Sequence, residues 1–99
     1  MVKVGLLVRF DAVPGKEEEV AQFLEGALPL VNEEPSTLVW YGLRLGPSTF
    51  GIFDAFPDEA GREAHLNGKV AEALLASVGD LVQQPTIEQV DVLAVKTPG

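Results

Sequence analysis

Apolar side chains alternate with other residues at the start of the chain. The apolar positions of this segment are Val2, Val4, Leu6, Val8 and Phe10. A period of two residues places all of them on one face of a β-strand. Pro14 and Gly15 end this strand. Three successive glutamates at residues 17–19 then form the first turn of a predicted helix, where the helix macrodipole favours negative charge.

The spacing of apolar residues next becomes that of a helix. Over residues 20–31 they recur three and four positions apart, at Val20, Phe23, Leu24, Ala27, Leu28 and Val31. This arrangement predicts an amphipathic helix with one face in the core. Residues 36–45 and 49–56 follow as two predicted strands. The turn residues Gly46-Pro47-Ser48 between them indicate a β-hairpin.

A second helical stretch is predicted after the hairpin, with Asp58 as its N-cap and a short break at Asn67-Gly68. Beyond the break, a further helix face consists of Val70, Leu74, Val78 and Leu81. The last strand is predicted over residues 86–96. The order is therefore β-α-β-β-α-β, the ferredoxin-like α+β arrangement, with an antiparallel sheet and helices on one of its faces.

The predicted strands are apolar on both faces, although helices can cover only one face of a sheet. Trp40, for example, lies on one face of its strand, and Tyr41 and Leu43 lie on the other. A second apolar face is buried by another subunit, or it lines a ligand cavity, or both. We expect sheet-on-sheet packing in a homodimer, because closed two-fold symmetry is the commonest way to bury such a face.

Length and composition exclude several classes of function. The 99 residues suit one domain, residues 1–99, and the net charge of -8 argues against nucleic-acid binding. With no cysteine and one histidine, the chain cannot form disulfides, thiolate metal sites or His-rich metal sites. No apolar run is long enough to cross a membrane, and the N-terminus lacks a signal-peptide pattern, so we expect a cytoplasmic protein.

Two side chains are candidates for proton chemistry. His65 is the only histidine, and its ordinary pKa of about 6.5 suits proton transfer near neutral pH. Asp54 shares a strand face with aromatic residues, where an ionised carboxylate needs a partner. Pairing with His65 would make Asp54 the orienting residue of a base, whereas pairing with an arginine would make it structural. The candidate arginines are Arg9, Arg44 and Arg62.

The two middle strands supply candidate binding residues. Trp40 could stack on an aromatic ligand, Tyr41 could hydrogen-bond a phenol or quinone oxygen, and Arg44 could stabilise an anion. Further apolar contacts to a substrate are expected from Phe50, Phe53 and Phe56. Each has a structural alternative, which is core or dimer packing for the aromatic residues and a salt bridge between subunits for Arg44.

Several segments together resemble a known family. They are residues 4–10 (VGLLVRF) with residues 14–16 (PGK), residues 51–56 (GIFDAF), residues 58–60 (DEA) with 64–66 (AHL), and residues 90–94 (VDVLA). In this order and spacing they resemble the antibiotic-biosynthesis-monooxygenase (ABM) family of dimeric α+β barrels, which includes proteins assigned as quinol monooxygenases. Asp54 and Phe56 depart from the Glu and Trp that many members carry.

The resemblance implies a dimer with facing sheets and an apolar pocket in each subunit. Family enzymes oxidise or rearrange small aromatic or carbonyl-rich molecules, commonly without flavin or metal. A related haem-degrading branch is similar at His65, but it usually carries an Asn on the first strand and a Trp on the third. This chain has no Asn on its first strand, and it has Phe56 in place of the Trp, so haem degradation is disfavoured.

The expected function is that of a cofactor-independent monooxygenase that oxidises a small aromatic, quinol or carbonyl compound by proton abstraction. His65 would be the base, Asp54 would orient it, and Arg44 or Tyr41 would stabilise the anion. The alternative is a non-catalytic dimer that binds a small molecule or is associated with stress. A closed apolar cavity beside His65 would favour the enzyme, and exposure of His65 to solvent would favour the alternative.

Overall fold

The computed structural model describes residues 1–97, which form four β-strands and three α-helices. The strands are β1 (Val4–Asp11), β2 (Val39–Arg44), β3 (Thr49–Phe56) and β4 (Thr86–Asp91). The helices are α1 (Glu17–Val31), α2 (Glu59–Leu66) and α3 (Lys69–Ala76). The predicted break at Asn67-Gly68 separates α2 from α3, and the predicted ferredoxin-like α+β fold is confirmed.

The strands form one antiparallel sheet in the order β2-β3-β1-β4. In its centre, Leu6 of β1 lies opposite Asp54 of β3, and Val8 lies opposite Ile52. Trp40 of β2 pairs with Asp54 from the other side. Because residues directly opposite each other share a face, these side chains all belong to the face that the helices cover.

The covered face and the inner face of α1 form the core, as their apolar spacing predicts. On β1, Leu6, Val8 and Phe10 are each at most 6% exposed. The buried residues of α1 are Val20, Leu24, Ala27 and Val31. Burying one large apolar side chain stabilises a fold by about 1.5–3 kcal/mol, so the covered face supplies most of the driving force for folding.

The start of α2 is set by local capping and by a glycine. The Asp58 side chain accepts a hydrogen bond from the N–H of Gly61 at 2.8 Å, which confirms the predicted N-cap. A Cβ atom on Gly61 would lie only 3.0 Å from the Cβ of Ser36. Glycine at this position therefore lets α2 pack closely against the loop that joins α1 to β2.

Two predicted strands are shorter in the structure. β2 begins at Val39 rather than at residue 36, because the chain turns at residues 32–33 and 35–36 after α1. β4 ends at Asp91 rather than at residue 96, because its partner β1 begins only at Val4. Leu93, which was expected within the strand, is consequently 95% exposed.

The predicted helix face over Val70 to Leu81 is also too long. α3 ends at Ala76, where the Ser77 hydroxyl donates a 2.7 Å hydrogen bond to the carbonyl oxygen of Leu74. Gly79 then adopts a φ of +93°, a left-handed conformation that turns the chain out of the helix. Val78 and Leu81 still pack against the core, but from this turn.

The opposite face of the sheet carries no helix within the described residues. We call it the open face, and its larger apolar side chains are Leu7, Val39, Tyr41, Leu43, Leu45, Phe53 and Val90. Tyr41 is 58% exposed and Leu7 is 43% exposed. Within residues 1–97, none of the helices combines the length and the apolar character needed to cross a bilayer.

Candidate functional site

The carboxylate of Asp54 lies on the buried face of the sheet, away from solvent. The alternation of β3 places it on the covered face, between Ile52 and Phe56, and only 1% of the residue is exposed. An ionised carboxylate in such surroundings is costly unless another group compensates its charge. The position therefore needs a cationic or hydrogen-bonding partner from the helices.

That partner is His65, which α2 brings over the end of β3. Its side chain is 6% exposed, and its Nε2 atom lies 3.0 Å from Oδ2 of Asp54. Within residues 1–97, neither carboxylate oxygen of Asp54 has a hydrogen bond of ordinary geometry, so the imidazole compensates the charge mainly as a close neighbour. Of the two pairings left open by the sequence, the structure contains the one with His65. Arg44 and Arg62 form ion pairs elsewhere.

The second ring nitrogen of His65 contacts a residue that the sequence did not single out. Nδ1 lies 2.5 Å from Oε1 of Glu34, in the loop between α1 and β2. Because an ionised carboxylate only accepts hydrogen bonds, Nδ1 carries the donated proton. The Thr37 hydroxyl donates to the same Oε1 at 2.7 Å. We call Glu34, His65 and Asp54 the His65 cluster.

Glu34 had one usable signal in the sequence. The predicted hairpin makes the chain before β2 lie beside the end of β3, which is where the following helix begins. A carboxylate in that loop is therefore a candidate neighbour of His65. Nothing in the spacing of residues distinguishes Glu34 from Glu33 beside it, however, since the loop has no periodicity.

Two opposing effects act on the pKa of His65. Burial lowers it, because a low dielectric disfavours the charged imidazole. The close contact with Asp54 and the hydrogen bond to Glu34, with the negative charges of both carboxylates, outweigh burial and raise the pKa of His65 above the ordinary 6.5. The two carboxylates thus favour the protonated imidazole, and a cluster of one imidazolium and two ionised carboxylates carries one net negative charge.

The His65 ring separates two spaces. On one side lies an inner cavity of about 50 Å³, bounded by β1, β3 and α3 and lined by Asp54 and by apolar side chains such as Leu6 and Leu74. On the other side lies an outer cleft of about 200 Å³, lined by Glu34 and the loop that carries it. His65 itself is buried and lines a small, mainly apolar cavity, which is the arrangement that favours chemistry over a solvent-exposed histidine.

The His65 cluster is unsuited to holding a metal ion. Its two carboxylates contact opposite nitrogens of the imidazole, so they cannot converge on one ion. No group of three His, Cys, Asp or Glu residues elsewhere in residues 1–97 has a suitable arrangement either. The side chains fit proton chemistry better than Lewis-acid chemistry.

Arg44 and Trp40 do not join the His65 cluster. They line a separate open groove of about 400 Å³ between α1 and β2, together with Phe50. Arg44 pairs with Glu18 at 3.2 Å, and its guanidinium lies 4.9 Å from the centre of the Phe50 ring. Arg44 lies four residues beyond Trp40 on β2, which is a distance of roughly 13 Å along the strand. Because Trp40 pairs with Asp54, Arg44 is also distant from Asp54.

The remaining aromatic candidates divide between the two faces of the sheet. Phe56 lies beside the site, with its ring centre 5.5 Å from that of His65. Tyr41 and Phe53 are paired on the open face and cannot reach the inner cavity. The expectation that these two side chains contact the same substrate as His65 is therefore wrong for a single subunit.

Arg62 is a buried charge that anchors α2. It is 7% exposed, and its guanidinium donates at 3.3 Å to the carbonyl oxygens of Gly5 and Val90. It also pairs with Glu59 at 3.0 Å. These contacts fix α2 across β1 and β4, and so they hold His65 over Asp54.

Comparison with known proteins finds one solved structure that is similar in both sequence and fold, and others that are similar in fold alone. A protein of unknown function from Nitrosomonas europaea is 54% identical, with a TM-score of 0.95 over 100% of this chain and 97% of that chain. A Caulobacter crescentus protein described provisionally as an antibiotic biosynthesis monooxygenase is 18% identical, with a TM-score of 0.78 over 94% of this chain and 92% of that chain.

A provisional monooxygenase from Fusobacterium nucleatum is 17% identical, with a TM-score of 0.81 over 99% of this chain and 46% of that chain. At such identities the likeness establishes the fold alone. No protein-family model and no curated protein matches the chain. The chain therefore belongs to one family with the Nitrosomonas europaea protein, and it has the fold of the antibiotic biosynthesis monooxygenases.

Proposed function

We propose that this protein is a cofactor-independent monooxygenase that oxidises a small aromatic, quinol or carbonyl compound after removing a proton from it. The observation that carries the proposal is buried Asp54, which lines an apolar cavity and, among the described residues, has the His65 imidazole as the cation that compensates its carboxylate. The provisional descriptions of the Caulobacter crescentus and Fusobacterium nucleatum proteins agree with this chemistry.

In this proposal Asp54 takes the proton and His65 supports it, which reverses the roles expected from the sequence. Both nitrogens of His65 are already in contact with carboxylates, so neither is free to accept a proton from a substrate. Asp54 lines the inner cavity, and its Oδ1 has no hydrogen-bond partner within residues 1–97. Transfer of one proton to the His65 cluster neutralises its net negative charge, which favours the transfer in a low dielectric.

Dioxygen completes the proposed reaction. Removal of a proton from an anthrone-like CH₂ group leaves an electron-rich carbanion, which reduces dioxygen directly. The CH₂ group becomes a carbonyl, one oxygen atom enters the product, and the other leaves as water with the two hydrogens. Four electrons pass from carbon to oxygen, so the step needs no further reductant.

The inner cavity must open before an aromatic molecule can enter. A volume of about 50 Å³ holds a few water-sized molecules, whereas typical ligand pockets hold roughly 300–1,000 Å³. The outer wall of the cavity is α3, which contributes Val70, Ala71, Leu74 and Leu75. Leu75 is 50% exposed, so this wall is a single helix thick. Outward displacement of α3 from Gly68 is the proposed route of entry.

A second candidate function is non-catalytic binding of a small molecule in the same cavity. Both nitrogens of His65 contact carboxylates, and this arrangement would also be present if the ion pairs only stabilised the fold. The same contacts therefore favour this second function. The two candidates differ in one measurable respect. A binding protein forms a complex that calorimetry detects without consuming oxygen.

We also propose that the protein is a homodimer, with the open face buried between two sheets. The support is the exposed apolar side chains of Leu7 on β1 and of Tyr41 and Leu43 on β2, of which Tyr41 is the most exposed. An interface of this apolar type buries roughly 2,000 Å² or more in total. Light scattering at micromolar concentration should give twice the mass of one chain, and the mass of a single chain would contradict the proposal.

Oxygen uptake with a panel of quinols and anthrones tests the proposed reaction. In the Asp54→Asn protein, turnover should fall by ~10²–10⁴-fold, the usual loss of a positioned general base, while binding changes much less. Asp80→Asn, which removes a carboxylate from an exposed turn, is the matched control. Arg44→Gln should also leave turnover within about twofold, because Arg44 lines a different groove. Undiminished turnover in the Asp54→Asn protein would exclude this mechanism.

A further inference from the structure

We propose that Glu34 is a positioning residue, which holds His65 as an imidazolium and thereby keeps Nε2 directed at Asp54. The inference rests on the proposed function, since it assigns Asp54 as the group that takes the proton. It adds a residue from the loop between α1 and β2, which the spacing of residues in the sequence does not single out. Glu34 does not reach the inner cavity and acts only through the imidazole.

The placement of Glu34 is determined by several independent contacts. Its backbone N–H donates to the carbonyl of Val31 at 2.9 Å, and its own carbonyl accepts from the N–H of Thr37 at 3.3 Å. The Thr37 hydroxyl also donates a hydrogen bond to Oε1 of Glu34, which restrains the carboxylate. A Cβ on Gly68 would lie 3.1 Å from Oε2, so glycine at the α2–α3 break leaves space for the carboxylate.

The charges around His65 explain why Glu34 matters. Asp54 faces the ring from β3 and Glu34 faces it from the loop before β2. The walls that β1 and α3 contribute beside it are apolar, with Leu6 and Val70 as examples. Glu33 lines the outer cleft but makes no contact with the ring. Removal of Glu34 therefore takes away one of the two charges that stabilise the imidazolium and leaves Nδ1 without an acceptor.

A consequence for the reaction follows from the same geometry. Without Glu34 the imidazole loses its proton at a lower pH, and the ring is free to turn away from Asp54. Asp54 then loses the positive charge that compensates its carboxylate in the apolar wall, and the proposed base is no longer held in place. Loss of Glu34 should consequently narrow the pH range of turnover while it leaves substrate contacts intact.

The single histidine allows a direct test by NMR. In protein with ¹⁵N-labelled histidine, all imidazole signals belong to His65, and a pH series reports its titration midpoint. In the Glu34→Gln protein we expect the midpoint to fall by about 1 pH unit or more, a tenfold change in the proton-binding constant. Glu33→Gln is the matched control, and we expect its midpoint to stay within about 0.2 of the wild-type value.

A second variant covers the case in which Glu34→Gln does not fold. Thr37→Val keeps the carboxylate but removes the hydroxyl that fixes it, so we expect a smaller shift in the same direction. If the His65 titration midpoint is unchanged in every one of these two variants that folds, Glu34→Gln or Thr37→Val, the positioning role is wrong. If both Glu34→Gln and Glu33→Gln shift it equally, the effect is general charge and the proposal is again wrong.

The turnover experiment separates this inference from the proposed function. If wild-type protein oxidises a quinol or an anthrone, the pH limit of kcat in Glu34→Gln should move with the NMR midpoint while KM changes little. A kcat profile that does not follow the midpoint contradicts the positioning role. A shifted midpoint in a protein that consumes no oxygen contradicts the proposed function alone, because Glu34 would still hold the imidazolium.

Discussion

The two faces of the sheet are built from the same strands but differ in what covers them. On the covered face, Leu6 is 1% exposed and Phe50 is 1% exposed, and helices pack over them. On the open face, Leu7 is 43% exposed although it is the next residue along β1. Both faces are apolar, yet only the covered face contains the buried charges of Asp54 and His65.

The difference shows what an apolar pattern does and does not specify. Alternation on β1 and β3 predicts that a face is removed from water, but it does not say by what. Within one chain the helices can satisfy only one face. A charged cluster is tolerated on that face because helix α2 and the loop before β2 supply its partners. Within residues 1–97 the open face has no such partners, which is why we propose that a second subunit covers it.

The largest effect should come from breaking the charge pairing on the covered face. His65→Leu leaves Asp54 buried without a partner, and we expect a loss of about 3–5 kcal/mol of unfolding free energy at neutral pH. The double variant His65→Leu with Asp54→Leu should recover much of that loss. Urea denaturation measures both. A cost under about 1 kcal/mol for the single change would show that Asp54 does not depend on His65.

The same pairing predicts a pH dependence of wild-type stability. The folded-state pKa of His65 lies above 6.5, so its contribution is fully present below that value and is lost as pH rises through the higher folded-state pKa. We therefore expect the unfolding free energy to fall across this window. His65→Leu contains no histidine and should lack this fall, so a parallel decline in that variant would assign it to another group.

The next largest effect concerns the apolar part of the covered face. Leu24 is 5% exposed within the core, and Leu24→Ala should cost about 2–5 kcal/mol, because removed contacts and an unfilled cavity add together. Leu28, one turn further along α1, is 46% exposed. Leu28→Ala is the matched control and should cost far less. Equal losses in the two proteins would mean that the helix face is assigned wrongly.

On the open face we expect a change in assembly rather than in the fold of one chain. Leu43→Lys puts a charge within the proposed interface and should weaken dimerisation by about 10²-fold or more. The secondary structure of the chain should be retained, because Leu43 is already 37% exposed in a single subunit. Sedimentation and light scattering provide the readout. Unchanged mass at micromolar concentration would place the interface elsewhere.

Most of the fold could be predicted because it depends on local periodicity. Alternation located β1 and β3, and helical spacing located α1, whose buried face matches the predicted one at Leu24 and Val31. The errors fell where neighbours decide the outcome. β4 stops at Asp91 because β1 begins at Val4, a limit that the apolar residues of β4 do not encode.

The site was predictable only in part, for a related reason. Asp54 and His65 stood out because each is chemically unusual at its position. Arg44 was misplaced because a shared strand face does not imply proximity along the strand, and Arg44 lies at the far end of β2. Glu34 was missed because it reaches His65 from a loop 31 residues earlier in the chain. Contacts of this kind depend on tertiary packing and leave no periodic trace.

The smallest effect should come from Glu18 at the exposed start of α1. Its side chain is 78% exposed and pairs with Arg44, which is 45% exposed. Solvent screens such a pair, and the glutamate also gains only the first-turn interaction with the helix dipole. Glu18→Ala should therefore cost under about 1 kcal/mol in urea denaturation, and added salt should reduce that cost further. If Glu18→Ala lost as much unfolding free energy as Leu24→Ala, an exposed ion pair would stabilise the fold as strongly as a buried apolar side chain. That result would contradict the difference between exposed and buried groups described above.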